Sequence, residues 1–473
     1  MKYPLYIFIL LIKLTLSGQT IYFSGRTNVN GKHNYSKVIG ENKFGIYILK
    51  FRDYNIQKDF IIERYSNDLN LISSQPYKLD RKEQVLKLIL TDSSLHCITQ
   101  TTTKISHYLI DYSLDQIQPI FKDLIYPKNK SHNSETEVVY SQSKKFILIT
   151  YASTNKNNLQ EFHIISRNLL AFTQSNQTYP TQHYSKDCSL QSTLINNLGQ
   201  SSILFKVQTR DRRDIKDNYY WVIPSHRMSQ DMAYHINPLF YLNNPTLYFH
   251  PSNGNSFVIG LYSYLQDEGS QGVSIFSQQE PDYPISNPFS SQTISSVQGA
   301  QAAQNTKVIQ DLYIRSVMPH IQGSFVIIAE QYFISKEIEN FYANGLPQSN
   351  TRSIYNYNDL IVMQFDSLQN TSWSNVIHKK QSTLGPSAYY SSYLYFASNQ
   401  FNYIIFNEKH TTDNRLLLHK FNSQGTQAIQ VLVEPTSDLM MGIPIEGRQT
   451  TYNSATLPLV NGRNQNLLKV VVQ

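Results

Sequence analysis

A unit of about fifty residues recurs along this chain, and that recurrence limits the fold more than any other feature of the sequence. Apolar runs begin near Phe44, Leu95, Phe146, Ser202, Ser256, Ser324, Phe401 and Ala455, at steps of 51, 51, 56, 54, 68, 77 and 54 residues. After each opening run come a polar loop, a second strand, a tight turn and a third strand. Phe146–Tyr151, Phe162–Ser166 and Leu170–Thr173 form one clear copy; Phe44–Phe51, Phe60–Tyr65 and Asn70–Ser73 form another. The turns carry Asp, Asn, Ser and Gly, as in Asp366-Ser367-Leu368-Gln369-Asn370 and Asn422-Ser423-Gln424-Gly425-Thr426. Such residues bond to their own backbone or accept positive φ, so they reverse a chain at little cost. The two longest steps contain polar stretches, about 280–305 and 335–357, that read as long loops.

A small antiparallel sheet has faces to bury and edges to protect, and alone it is marginal. Radial packing buries both faces and leaves short edges, which is the logic of a propeller. No long stretch shows sustained apolar spacing at the helical period. Tyr 34 and Phe 23 favour strands as well. The expectation is therefore an all-β chain folded as a β-propeller of four-stranded antiparallel blades, eight in number, with seven as the alternative count. Two unrelated β-domains are the competing architecture. The last copy, from Ala455 to Gln473, lacks a returning strand, and Thr20-Ile21-Tyr22-Phe23-Ser24 is an orphan. Pairing the two would close the ring.

The start of the chain reads differently. Met1-Lys2 precedes the apolar run Leu5–Ile12, and a small residue, Gly18, stands before a plausible cut. This pattern predicts a signal peptide over residues 1–18 and a single propeller domain over 19–473. The run is too short for a transmembrane anchor. Export puts Cys97 and Cys188 in a compartment where disulfides form, although two buried free thiols is the plainer reading. The net charge of +7 is dispersed, which argues against a nucleic-acid partner. With hydrophobic residues at 40% and charged residues at 16%, disorder is excluded.

From Gly323 onward the chain resembles a family of uncharacterised, exported β-propeller-like proteins of Bacteroidetes. The matching residues are Gly323–Tyr332, Tyr355–Val362, Trp373, Ile377–Gln381 and Phe401–Asn407. The resemblance implies export and architecture, and it transfers no catalytic residue. Where that family tends to have a turn Gly this chain has Asn370, expected to take the same backbone, and His378 stands where the family tends to have Pro.

Propellers host several chemistries, and each leaves a mark. The sialidase-type Asp box fails on Trp373, because Leu368 falls at the Asp position. The cluster Asp211, Asp214, Asp217 and Asn218 is interleaved with Arg and Lys, and reads as a self-neutralising loop rather than a calcium site. No nucleophile elbow is present, and no cofactor or metal is expected. What remains is aromatic: Tyr219, Tyr220 and Trp221; Tyr389, Tyr390 and Tyr393; and Tyr355 and Tyr357 in the long connection. Tyrosine offers rigid amphipathic area suited to a partner or a sugar. These eight are the candidate ligand-binding residues, set against the plainer reading that they fill space between blades. The function expected is a non-enzymatic binding or scaffold module at the cell envelope, with an envelope protein or glycan as partner. The alternative is a propeller glycoside hydrolase or lyase acting on envelope or environmental glycans.

Overall fold

The computed structural model describes residues 19–472 apart from 26, 29–34, 53–58, 81–82, 102–103, 115–116, 126–135, 212–213, 224–231, 237–239, 252–253, 266–268, 302–306, 344–345, 385–388, 411–412, 434–439 and 462–463. The expected signal, residues 1–18, lies outside the described residues. Eight antiparallel sheets follow one another, seven of them built on four strands hydrogen-bonded in chain order, one of these with an added strand, Gln381–Leu384. They span residues 35–78, 84–125, 137–184, 188–236, 241–288, 312–377 and 394–433, and the eighth combines 441–471 with the N-terminal strand Thr20–Phe23. We number these blades 1 to 8.

The packing shows how the sheets are arranged. Each neighbouring pair shares one apolar cluster. Phe60, Ile62 and Tyr77 of blade 1 meet Leu95, Cys97 and Ile110 of blade 2. Similar clusters join blades 2 and 3, 3 and 4, 4 and 5, 5 and 6, 6 and 7, and 7 and 8. A final cluster puts Leu467 of blade 8 against Val38, Ile46 and Ile48 of blade 1. The series returns to its start, so the molecule is an eight-bladed β-propeller. Closure is made as the orphan strand suggests: Thr20–Phe23 pairs antiparallel with the C-terminal strand, from Thr20 opposite Val471 to Phe23 opposite Leu468. Ser24 extends the seam, its amide donating to the Leu467 carbonyl (3.0 Å) and its hydroxyl accepting from the Leu467 amide (2.8 Å).

The blade frame differs from the sequence reading by one strand. The runs read as opening strands are the second strands, such as Gly45–Phe51, Ser256–Ser263 and Phe401–His410. A further strand precedes each, and most neighbouring first strands touch around the ring, placing them innermost. Both predicted long loops are also structured. Residues 280–305 hold the outer strand Ile285–Pro288 and a helix, Ser291–Gln298, whose N-cap Ser290 accepts from the Thr293 amide. Residues 335–357 belong to a two-stranded arm, where Phe325–Ala343 pairs with Leu346–Phe365. Ile354–Tyr357 also pair with Gln381–Leu384, and beyond them the eight pairs from Lys336–Ser353 to Ala343–Leu346 run about 25 Å at the usual strand rise.

The turns follow their sequence closely. In Asn422–Thr426 the Asn422 side chain accepts from the amides of Gln424 (3.0 Å) and Thr426 (2.8 Å), and Gly425 takes φ +79°. Asp366 does the same for Leu368 and Asn370, both at 2.9 Å. The residue with positive φ there is Gln369 (φ 67°), so the left-handed position falls one residue before Asn370. Cys97 and Cys188 are both free, on blades 2 and 4.

Candidate functional site

The first strands build the centre of the ring, and most of them are interrupted. Register shifts, the mark of a β-bulge, fall between Val38 and Gly40, Val85 and Lys87, Leu190 and Ser192, Asn243 and Thr246, Ile314 and Ser316, and Gln449 and Thr451. A bulge adds a residue to one strand and re-aims its neighbours. Arg315 occupies one of these bulges and lines the central space.

Two neighbouring cavities lie there. The larger, about 930 Å³, is bordered by blades 1, 3, 6, 7 and 8 and includes Glu41, Lys144, Arg315, Glu330, Tyr357 and Tyr393. The smaller, about 300 Å³, lies at the inner ends of blades 1 and 2 and shares Tyr140, Gly447 and Arg448 with the larger.

The carboxylates around this space are held by cations. Glu330, on the second strand of blade 6 and fully buried, takes Lys379 Nζ at 2.7 Å and Arg315 Nε at 3.0 Å. Burial pulls the Lys379 ammonium below the usual lysine range, against the opposing pull of Glu330. Lys379 Nζ also donates to the Tyr357 carbonyl (3.0 Å) and to Gln381 Oε1 (3.1 Å), which fixes the base of the arm to the blade. The Arg315 guanidinium rests 5.0 Å from the Tyr332 ring centroid. Glu446 meets Lys37 at 2.9 Å, and Glu41 meets Lys469 at 3.0 Å.

Around the smaller cavity the cations lack that balance. Lys87 and Arg448 both face the Tyr140 ring, at 5.8 and 5.5 Å from its centroid. Arg448 Nη1 donates to the Ile39 carbonyl at 2.7 Å. The Lys87 ammonium is pushed down first by burial and then by Lys37 and Arg448, with Glu137 opposing. The Arg448 guanidinium is lowered by burial as well.

Of the residues singled out from the sequence, Tyr357 and Tyr393 line the larger cavity; both are buried, and the Tyr393 hydroxyl bonds to Ser316 Oγ at 3.0 Å. Tyr389 is buried on the segment entering blade 7, and its hydroxyl accepts from the Ser36 amide of blade 1 at 2.7 Å. That bond reaches past blade 8 and makes Tyr389 a strap across the ring. Tyr390 packs edge-on against Tyr389 and is 40% exposed. Tyr355 is half-buried at the root of the arm, opposite Ile334. The remaining three lie between blades: Tyr219 and Trp221 are buried against blade 5, and Tyr220 stacks on Phe205 at 5.2 Å in the cluster shared with blade 3. Tyr219 spends its hydroxyl on the Leu242 carbonyl (2.8 Å).

Asp211 and Asp214 end the facing strands of a hairpin, and their side chains lie outside the described residues; Asp217 pairs with Lys206 at 3.2 Å. Among the described residues there is no group of three His, Cys, Asp or Glu placed to hold a metal ion, and no helix is long and apolar enough to cross a membrane. His378, at the divergent position, bonds to Asp359 at 3.1 Å and holds the turn leading to Lys379. Lys87, Arg448, Tyr140, Arg315 and Glu330 were not singled out from the sequence. The one signal pointing their way was the position of Glu330 at the end of a clear apolar run.

No protein-family model and no curated protein sequence matches the chain. Among solved structures, it is similar to the WD40 domain of SCAP from fission yeast, at 7% identity and a TM-score of 0.41, over 94% of this chain and 98% of that one. It is similar to the Nup133 β-propeller domain of Vanderwaltozyma polyspora at 11% identity and a TM-score of 0.39, over 92% and 100%. The β-propeller domain of the Trilobed protease from Pyrococcus furiosus matches at 8% identity and a TM-score of 0.36, over 85% and 95%.

Proposed function

We propose that this chain is an exported β-propeller serving as a non-enzymatic binding or scaffold module at the cell envelope, in keeping with the Bacteroidetes family it resembles. The supporting observation is the charge arrangement of the central space. Glycoside hydrolysis runs on two carboxyl groups flanking one bond, one of them free to give up a proton. Here Glu330, Glu41 and Glu446 are each engaged by a lysine or arginine, while Lys144, Lys87 and Arg448 face the cavities beside Tyr140, Tyr357 and Tyr393. A cationic, aromatic cleft is suited to holding a ligand.

The test is an array of envelope and environmental glycans incubated with the purified chain, alongside pull-down from an envelope fraction. Retention on the array without product release, or a stoichiometric envelope partner, supports the module. Release of cleaved product from any glycan overturns it in favour of a hydrolase or lyase.

A further inference from the structure

Resting on the reading of the central space as a binding site, we propose that its smaller cavity is an oxyanion site, holding a carboxylate or phosphate group carried on a larger molecule. Three cations meet there from three blades: Lys37 from blade 1, Lys87 from blade 2 and Arg448 from blade 8. Two carboxylates act on them. Glu446 is spent on Lys37 at 2.9 Å, and Glu137 acts on Lys87 from beyond ion-pair distance. Among the described residues no carboxylate comes within ion-pair distance of Lys87 or Arg448. Half-burying two like charges over one ring is costly unless something offsets it, and here burial and repulsion from Arg448 and Lys37 both weigh on the ammonium of Lys87.

The surrounding geometry is that of a receptor. Arg448 is oriented by its bond to the Ile39 carbonyl, leaving further guanidinium donors for a bidentate contact. Tyr140 provides an aromatic floor under both cations. The bulge between Val85 and Lys87 sets the lysine's direction. At about 300 Å³ the cavity exceeds a carboxylate or phosphate group, and it is itself partly open, so the rest of the ligand has a path outward. An oxyanion there would neutralise the pair and relieve the repulsion.

The experiment uses the purified chain, titrated by calorimetry with inorganic phosphate and separately with D-glucuronate, at ionic strength matched with sodium chloride and with D-glucose as the uncharged control. One-site, saturable binding is expected for at least one anion: glucuronate alone assigns an acidic sugar, phosphate alone a phosphoryl group. Lys87→Gln should weaken that binding about tenfold or more, and should melt higher than the parent without anion because the repulsion is gone. The raised melting temperature expected of Lys87→Gln guards against a folding artefact, and Lys37→Gln, which also leaves the buried Glu446 unpaired, should weaken binding as well. Neither anion binding above the chloride control overturns the proposal, as does unchanged affinity in Lys87→Gln. Neutral glycans retained on the array would then still support a binding module, whereas product release would sink the module and leave a measured anion site intact.

Discussion

Two seams of the ring solve the same problem in different ways. Between blades 5 and 6 the contact is apolar. Phe325 stacks on Phe365 at 5.2 Å and tilts against Tyr248 at 5.4 Å, with Ile259, Ile275, Ile327 and Ile361 fully buried around them. Between blades 8 and 1 a single buried leucine, Leu467, joins the blade 1 cluster. Polar bonds do the rest: the buried pair Glu41–Lys469 at 3.0 Å, Ser36 Oγ to Gln465 Oε1 at 2.5 Å, and Arg448 to the Ile39 carbonyl. An ordinary seam joins blades that follow each other in the chain and can rely on non-directional burial. The last seam must bring the two ends of the polymer into one register, and hydrogen bonds and ion pairs specify position where apolar contact does not.

The severest way to break this contrast is to remove residues 19–25. Blade 8 then loses its outer strand, and the strand Asn464–Val471 becomes an open edge. The thermal midpoint should fall by several degrees, with aggregation on heating; an unchanged melting curve would refute the closure. Point changes come next. Phe325→Ala in the apolar seam should cost about 3–5 kcal/mol in urea unfolding. Lys469→Met should cost a similar amount by leaving Glu41 buried and uncompensated, yet adding Glu41→Leu should restore most of it. No second substitution of that kind should rescue Phe325→Ala. If the double variant is no better than Lys469→Met, the ion pair is not what sets the closing seam apart.

A third seam sharpens the comparison through pH. Between blades 2 and 3, His96 Nδ1 lies 2.9 Å from His107 Nε2, and His107 Nδ1 lies 3.2 Å from Arg167 Nη1. Burial pulls His96 down to about 4, and burial, then His96 and Arg167, pull His107 down to about 3. Both imidazoles are neutral in the folded chain, whereas in the unfolded chain they protonate near pH 6.5. Below that value the unfolded state takes up protons that the folded state refuses, so this contribution to stability is whole above about pH 6.5 and is lost as the pH falls toward 4. Unfolding free energies from urea titrations at pH 7.5, 6 and 4.5 should drop across the series by an amount on the order of a few kcal/mol, and a His96→Gln, His107→Gln double variant should flatten the profile. The smallest effect is expected from the arm: replacing 334–354 with a tight turn should alter stability by less than about 1 kcal/mol, since the described part of that span is largely exposed.

The second strands were legible because both of their faces are buried. Ser256–Ser263 is buried throughout, and such strands read as unbroken apolar runs. Each run recognised in the sequence begins within one residue of a second strand. The first strands escaped notice for the opposite reason. They border a wet channel, so their residues are mixed, and a bulge breaks the alternation on which a strand is recognised. Lys87 and Arg315 stand at such breaks, which is why the cations of the candidate site were invisible. The arm reads as a loop because, among the described residues of 336–353, neither face is buried, leaving no hydrophobic period. Tyr219, Tyr220 and Trp221 stood out as a dense triplet, yet alternation sends them into two different interfaces.

The strand Thr20–Phe23 is synthesised long before residues 468–471, the partner against which it finds its place. Loops closed over such separations form slowly, because the entropy lost on joining distant segments must be spent before the contact returns anything. Every unfinished chain therefore has a ring with a gap and a strand without a neighbour. Completion is a single late event, and the molecule is most vulnerable to joining another copy of itself in the interval before it happens.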